Sequence, residues 1–385
     1  MPAAALYIHV PFCEHKCIYC DFYSITDRSL SAAYVTALRQ EWSWYKHNPP
    51  FGGFVFSTLY FGGGTPSLLS VRELETIIND LPLQADAEIT LEANPGTVSP
   101  AYLQELRRIG VNRLSIGIQS FVDQELKTLS RIHDAAQAEQ AIVQARQAGF
   151  DNLALDFIFA IPGQTPATLA RSLHKAISFA PEHLSCYSLT VEKETPLAAA
   201  VAGGELQTLE EEEEAALLIQ SKTILESAGY EQYEISNYAR PGRRSRHNQS
   251  YWDGTPYLGL GPSAHSYDGR RRWWNGRDVA GYITAWQAGQ AAPAGSETIT
   301  SSEKQTELIM LGLRRLEGIT EPLLVQQLLP IVDQLGGLDP EAMPFHTSTR
   351  QKWFTRSPDG LSLTLEGLLL YNHVCEQLCS RITPN

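Results

Sequence analysis

The sequence predicts an α/β protein, a partial (β/α)6 barrel of the TIM type followed by a small, mainly helical, winged-helix-like domain. Three observations predict it. Short β-branched and aromatic runs alternate with amphipathic stretches of helical period over the first two thirds of the chain, the pattern of repeated βα units on a parallel sheet. Six such units are found, short of the eight that close a barrel. Beyond the sixth the alternation stops, and from about Ser302 the pattern is helical with one short strand-like run.

The strands are expected near residues 6–10, 57–61, 88–91, 113–118, 153–160 and 184–190. Helices are expected between them near 31–45, 71–81, 100–109, 135–148 and 166–179, with a sixth near 210–228. Ser99-Pro100 and Thr165-Pro166 each set a cap residue before an N1 proline, and Gly110, Gly149 and Gly229 stand where helices should end. In the last part, residues 306–313 read as helix, and 361–364 as a short strand or wing before a helix at 366–378. The division predicted is 1–230 for the barrel, 231–300 for a linker region packed on it, and 301–385 for the C-terminal domain.

Composition narrows the function classes. With 385 residues and 43% of them apolar, the chain can bury a sizeable core, and a net charge of −13 argues against a general nucleic-acid binder. The N-terminus lacks a basic stretch before a long apolar one, and even residues 153–162 are interrupted by Asp156. The expectation is a cytoplasmic protein without an integral membrane segment. Six cysteines, three of them clustered, then favour metal binding over disulfides.

In such barrels functional groups lie on the loops after the strands. After the first strand come Cys13, Cys17 and Cys20, at spacings of four and three. Three thiolates can hold an iron–sulfur cube with one iron left open, or zinc with His9 or His15 as a fourth ligand, or they can be packing thiols. After the second strand comes Gly62-Gly63-Gly64-Thr65-Pro66, which is either a tight turn or a backbone surface for a ligand, and is no Walker loop. Glu92 follows the third strand, Gln119 the fourth, and Asp156 lies within the apolar fifth. Singly these are a solvated strand end, a loop amide and a costly buried acid. At one mouth of one barrel they point to a shared ligand.

Residues 240–277 form the second informative stretch, with eight arginines against Asp253 and Asp268. His247, His265, Tyr251, Trp252, Trp273 and Trp274 lie within it. Arginines suit carboxylates, aromatics suit a flat apolar macrocycle and a histidine can ligate haem iron, although another anionic partner fits the same composition. Cys186, Cys375 and Cys379 read as packing residues, and the acidic run 210–214 as a solvated helix start.

The Cys-x3-Cys-x2-Cys run with Tyr19 before its last cysteine resembles the signature of the radical S-adenosylmethionine (SAM) superfamily. The resemblance implies a 4Fe-4S cluster on Cys13, Cys17 and Cys20, with SAM chelated at the open iron and cleaved to a deoxyadenosyl radical. It further implies that the segment with Gly63, Gly64 and Thr65 meets the amino group of SAM. Glu92, Gln119, Arg131 and Asp156 would contact its methionine and ribose parts, with Tyr7 and Tyr19 near the cluster and adenine.

His247-Asn248-x-x-Tyr251-Trp252, followed by residues 257–265, resembles the motif of the haem chaperone HemW family, relatives of the oxygen-independent coproporphyrinogen III oxidases. This implies that haem is held with the help of His247, its propionates on the arginine-rich segment, and passed to haem-receiving respiratory proteins. Partner expectations include haem or porphyrin, transient membrane association at delivery and a homodimer, and exclude nucleic acid. The alternative is a coproporphyrinogen III dehydrogenase of porphyrin biosynthesis, which abstracts hydrogen from propionate side chains. That branch carries a fourth cysteine one residue beyond the triad, whereas Cys20 here is followed by Asp21-Phe22. One departure from the chaperone pattern is Ser245, where many relatives have a cysteine two residues before the motif histidine.

Overall fold

The computed structural model describes residues 3–290, 293–335, 353–358 and 360–382. They form two compact units, the first built from Met1–Glu231, Tyr238–Ser250 and Thr255–Thr298, the second from Gln232–Asn237, Tyr251–Gly254 and Ile299–Asn385.

In the first unit the strands β1 (Ala3–Val10), β2 (Val55–Gly63), β3 (Leu83–Ala93), β4 (Arg113–Gln119), β5 (Leu153–Phe159) and β6 (His183–Ser188) pair in sequence and in parallel. Between them run α1 (Ser31–His47), α2 (Val71–Asp80), α3 (Pro100–Arg108), α4 (Asp123–Thr128), α5 (Ala135–Gln147) and α6 (Pro166–Ser178). After β6 come α7 (Pro196–Ala202) and α8 (Glu211–Ser227). Three helix starts follow from local chemistry. Ser70, Asp134 and Thr165 each accept from the amide three residues on, which satisfies one of the donors a first turn leaves open.

Side chains alternate along a strand, so each has one face toward the helices and one toward the barrel lumen. Leu6, Ile8, Leu59, Phe61, Leu91, Leu114 and Ile116 are buried in the shared core, each such burial being worth about 1.5–3 kcal/mol. The opposite face is polar, and strand register arranges it in rows. Tyr7, Tyr60, Thr90 and Arg113 form one row, and the pairs His9 with Gly62 and Glu92 with Ser115 come next toward the carboxyl ends. Asp156 is registered with Gly117 on one side and Ser185 on the other.

The short strands β7 (Glu231–Glu234) and β8 (Asn237–Ala239) precede α9 (Arg246–Trp252). The following stretch differs from the linker expected for 231–300. It folds into β9 (Tyr257–Leu260), β10 (His265–Tyr267), β11 (Arg271–Asn275), α10 (Val279–Gln287) and β12 (Pro293–Thr298). The large sheet thus continues beyond β1 in the order β12-β11-β10-β9-β1, with β9 parallel to β1 and the rest antiparallel. These strands are short, rich in arginine and tryptophan and broken by glycines, so their pattern reads as loop. A fully buried acid on α1 ties them in. Glu41 accepts from the Gly261 amide at 2.8 Å, Asn275 Nδ2 at 2.7 Å and the Tyr282 hydroxyl at 2.5 Å, and burial pushes its pKa up to about 7.

The second unit holds α11 (Ser301–Arg314), α12 (Pro322–Leu335), the hairpin β13 (Phe354–Ser357) and β14 (Gly360–Leu363), α13 (Leu365–Leu369) and α14 (Tyr371–Ile382). Ile309, Leu313, Leu328, Leu361, Val374 and Leu378 form its core, with Cys375 among them and Cys379 packed against it. Helices around a two-stranded hairpin match the winged-helix-like arrangement expected.

Candidate functional site

A cavity of about 520 Å³ opens among the carboxyl ends of the first unit's parallel strands. Cys13, Cys17 and Cys20 form part of its wall, as do Tyr19, Gly63, Gly64, Thr65, Glu92, Gln119, Arg131 and Asp156. Tyr7 and His247 do not line it.

The cysteine loop is set by main-chain contacts. The Cys13 amide donates to Ile25 at 2.9 Å, while the Gly64 and Thr65 amides donate to Val10 at 2.8 Å and Phe12 at 2.7 Å. A Cβ on Gly64 would lie 2.6 Å from the Phe12 carbonyl oxygen, so only glycine lets the two loops touch. The Thr65 hydroxyl reaches Cys13 Sγ at 3.6 Å, and Arg131 Nη1 reaches Cys17 Sγ at 3.7 Å, placing donors where thiolates would need them. The Ser130 hydroxyl takes the Ile18 amide at 3.0 Å and closes the loop's far side. Burial, with Cys13 and Cys17 nearby, pushes the Cys20 thiol pKa up.

These residues fit a cluster: three thiols lie in one wall of the cavity with donors beside two of them, and among the described residues no fourth thiol lines it to close a zinc site. A cube spreads its thiolates over separate irons, and a triad leaves one iron without a protein ligand. His9 is no free fourth ligand either. Its Nε2 contacts the Tyr23 carbonyl at 2.8 Å and its Nδ1 the Tyr7 hydroxyl at 3.1 Å.

Below the loop the lumen carries a built polar cradle. Glu92 accepts from the Tyr60 hydroxyl at 2.7 Å, and burial raises its pKa to about 7. Asp156 is held by Ser115 at 2.9 Å and by Ser185, and burial raises its pKa too. Arg131 lies across β4, donating to Asn94 Oδ1 at 2.5 Å and to the Gly117 carbonyl at 2.9 Å. A Cβ on Gly117 would come within 2.9 Å of Gln119 Nε2 and 3.2 Å of Asn94 Oδ1, so the glycine makes room for this crossing. Arg131 Nε is buried without a partner, a donor suited to a ligand carboxylate. Gln119 adopts φ +66, a left-handed conformation rare outside glycine, at the mouth of the cavity. An acid for an ammonium, an acid for ribose hydroxyls and a guanidinium for a carboxylate form a donor set that fits SAM.

The second motif lies elsewhere. His247 is 1% exposed, its amide donating to Glu88 at 3.0 Å, its Nδ1 2.8 Å from Thr58 Oγ1, and its ring stacked on Tyr60 with centroids 4.8 Å apart. Burial, aided by Arg113, lowers its pKa to about 3, so the ring is neutral. Its neighbour Asn248 does line the cavity. Several of the arginines are engaged locally: Arg246 with Asp86, Arg272 with Glu297, and Arg277 with Asp21 beside Cys20.

Tyr60, Asn94, Arg113, Ser115 and Ser185 join the wall without having been singled out from the sequence. For β4 the signal was there. Counting back by two from Gln119 gives Gly117, Ser115 and Arg113 on one face.

A cysteine triad over the carboxyl ends of a six-stranded parallel partial barrel defines a radical SAM protein, and residues 7–176 match the radical SAM superfamily. The haem chaperone HemW of Bacillus subtilis is 35% identical over 96% of this chain and 97% of its own, and that of Synechocystis sp. is 38% identical over 83% and 80%. The chain belongs to the haem chaperone HemW family. The coproporphyrinogen III oxidase HemN of Escherichia coli superposes with a TM-score of 0.79 over 99% of this chain and 90% of its own, at 24% identity, which shows the fold alone. Among the described residues no helix is long and apolar enough to cross a membrane.

Proposed function

We propose that the protein is a haem chaperone that binds haem and passes it to haem-dependent respiratory proteins. The observation that carries this reading is similarity over practically the whole length of a curated haem chaperone. The Cys20-Asp21-Phe22 sequence, in place of a further cysteine, supports the same branch.

Cys13, Cys17 and Cys20 would hold the 4Fe-4S cluster, which supplies an electron to SAM when both are bound. Thr65 and Arg131 stabilise the thiolates by donating toward Cys13 and Cys17. Glu92 takes the ligand's ammonium when ionised, Arg131 its carboxylate, and Asp156 its ribose hydroxyls. Tyr60 orients Glu92 and favours its ionised form, since a donated hydrogen bond stabilises the carboxylate.

His247 contributes to haem binding in this reading. Its neutral ring suits an iron ligand, because only an unprotonated nitrogen can bind. Reaching haem requires the first turn of α9 to withdraw from Glu88 and Thr58. Haem titration of the cluster-loaded protein, followed by absorbance, tests the reading. Stoichiometric binding, weakened at least roughly tenfold by His247→Ala, supports it, and an unchanged affinity removes His247 from the site. Failure of the intact protein to bind haem, with turnover of coproporphyrinogen III at roughly one per second, would replace the chaperone with a dehydrogenase.

A further inference from the structure

Arg113 opens β4 with its side chain on the lumen face, 1% exposed and in the wall of the cavity. Its Nε has no hydrogen-bond partner, and among the described residues no carboxylate is paired with it. A buried guanidinium with an unbonded Nε and no carboxylate clasped directly to it is costly, so its fork is open to an anion even with Glu92 and Asp156 within range of its charge.

Two acids are near enough for the Arg113 charge to lower their pKa values against the larger effect of burial, yet both are bonded elsewhere. Glu92 is held by Tyr60 and the Gly63 main chain, Asp156 by Ser115 and Ser185. SAM does not supply the anion either. Its carboxylate would be taken by Arg131 beside the cysteine loop, and the rest of it carries no negative charge. Arg113 lies four residues before Gly117, where Arg131 crosses β4, a distance of roughly 13 Å at about 3.3 Å per residue.

The lining beside Arg113 narrows the chemistry. A guanidinium presents a flat fork that matches a carboxylate edge on. Asn248, carried by the first turn of α9, brings a further amide to the same cavity. A phosphate dianion would meet the fields of Glu92 and Asp156, whereas a singly charged carboxylate meets less repulsion.

We propose that Arg113 and Asn248 form a carboxylate-binding subsite on the lumen floor, occupied by the carboxylate of an organic ligand that binds at the same time as SAM. The subsite does not depend on the haem reading, because it rests on Arg113 and the cavity alone.

The test uses the full-length, cluster-loaded protein saturated with SAM, with ¹³C-acetate as the carboxylate probe and methylphosphonate as the phosphate-like one, followed by NMR relaxation. Saturable acetate binding is expected, weakened roughly tenfold or more in Arg113→Gln. Arg113→Lys should fall between, keeping the charge while losing the fork. Asn248→Ala should also weaken acetate binding, which serves as the readout if Arg113→Gln does not fold. Displacement of acetate by SAM, equal or tighter binding of methylphosphonate, or acetate binding that no variant alters would each overturn the proposal. Haem titration of the same variants separates its failure from failure of the chaperone reading.

Discussion

Replacing Gly64 by alanine puts a methyl carbon 2.6 Å from the Phe12 carbonyl oxygen and 2.9 Å from that of Val10. Both are main-chain atoms of the segment entering the cysteine loop, so neither can swing aside. Contacts become ordinary only at 3.4 Å, and the loop must therefore back off by roughly 0.8 Å. That movement breaks the bonds from Gly64 to Val10 and from Thr65 to Phe12, worth about 1 kcal/mol each, and adds overpacking of about 1 kcal/mol or more. The expected loss is about 3 kcal/mol in stability. Because Phe12 precedes Cys13, it comes with weaker retention of iron. Urea unfolding and the iron-to-protein ratio after reconstitution measure both effects. Gly96→Ala is the control, since nothing lies within 4 Å of a Cβ there and its φ is not positive, and it should stay within about 0.5 kcal/mol of the parent. A Gly64→Ala protein as stable and as iron-rich as Gly96→Ala would refute the close-approach argument.

Further predictions rest on the lumen and on α1. Glu92 titrates near 7, so SAM affinity measured by calorimetry should rise roughly tenfold from pH 6 to pH 8. Glu92→Gln should flatten that rise, and Tyr60→Phe should move it to higher pH, because the lost donor favoured the ionised form. Arg131→Lys removes the fork that joins Asn94, Gly117 and Cys17, and should weaken SAM binding about tenfold or more, read by the same titration. For Glu41, a folded pKa near 7 lies above the unfolded carboxylate range, so the folded state binds the extra proton in between. Its contribution to stability is greatest below the unfolded pKa and falls as pH rises to about 7, by roughly 3 kcal/mol. Urea midpoints should therefore drop from pH 5 to pH 8, and drop less in Glu41→Gln. An equal drop in that variant would contradict the assignment.

Strand periodicity and cap chemistry act locally, and the six barrel strands were legible for that reason. Predicted and observed strands overlap in every unit, from 6–10 inside Ala3–Val10 to 184–190 against His183–Ser188. The mouth was legible too, because the residues after successive parallel strands meet at one end. The floor was not. His247 is fixed by Thr58, Glu88 and Tyr60, partners far away in sequence that no spacing rule connects. The antiparallel strands β10 to β12 stayed hidden because they are short and charged, and it is the sheet edge at β9 that orders them. Arg113 lies between these cases. Its place on the β4 lumen face follows from alternation, but its unbonded Nε could be read only from the packed structure.

The most direct test of haem delivery is a transfer experiment. The cluster-loaded protein is charged with one equivalent of haem, repurified and mixed with the apo-form of a haem-dependent respiratory protein, and the acceptor's haem spectrum is followed. The account predicts transfer at a rate above that of free haem at the same concentration, with the chaperone's haem bands declining in step. Haem that stays on the donor, or reaches the acceptor no faster than free haem, would contradict delivery as the protein's function.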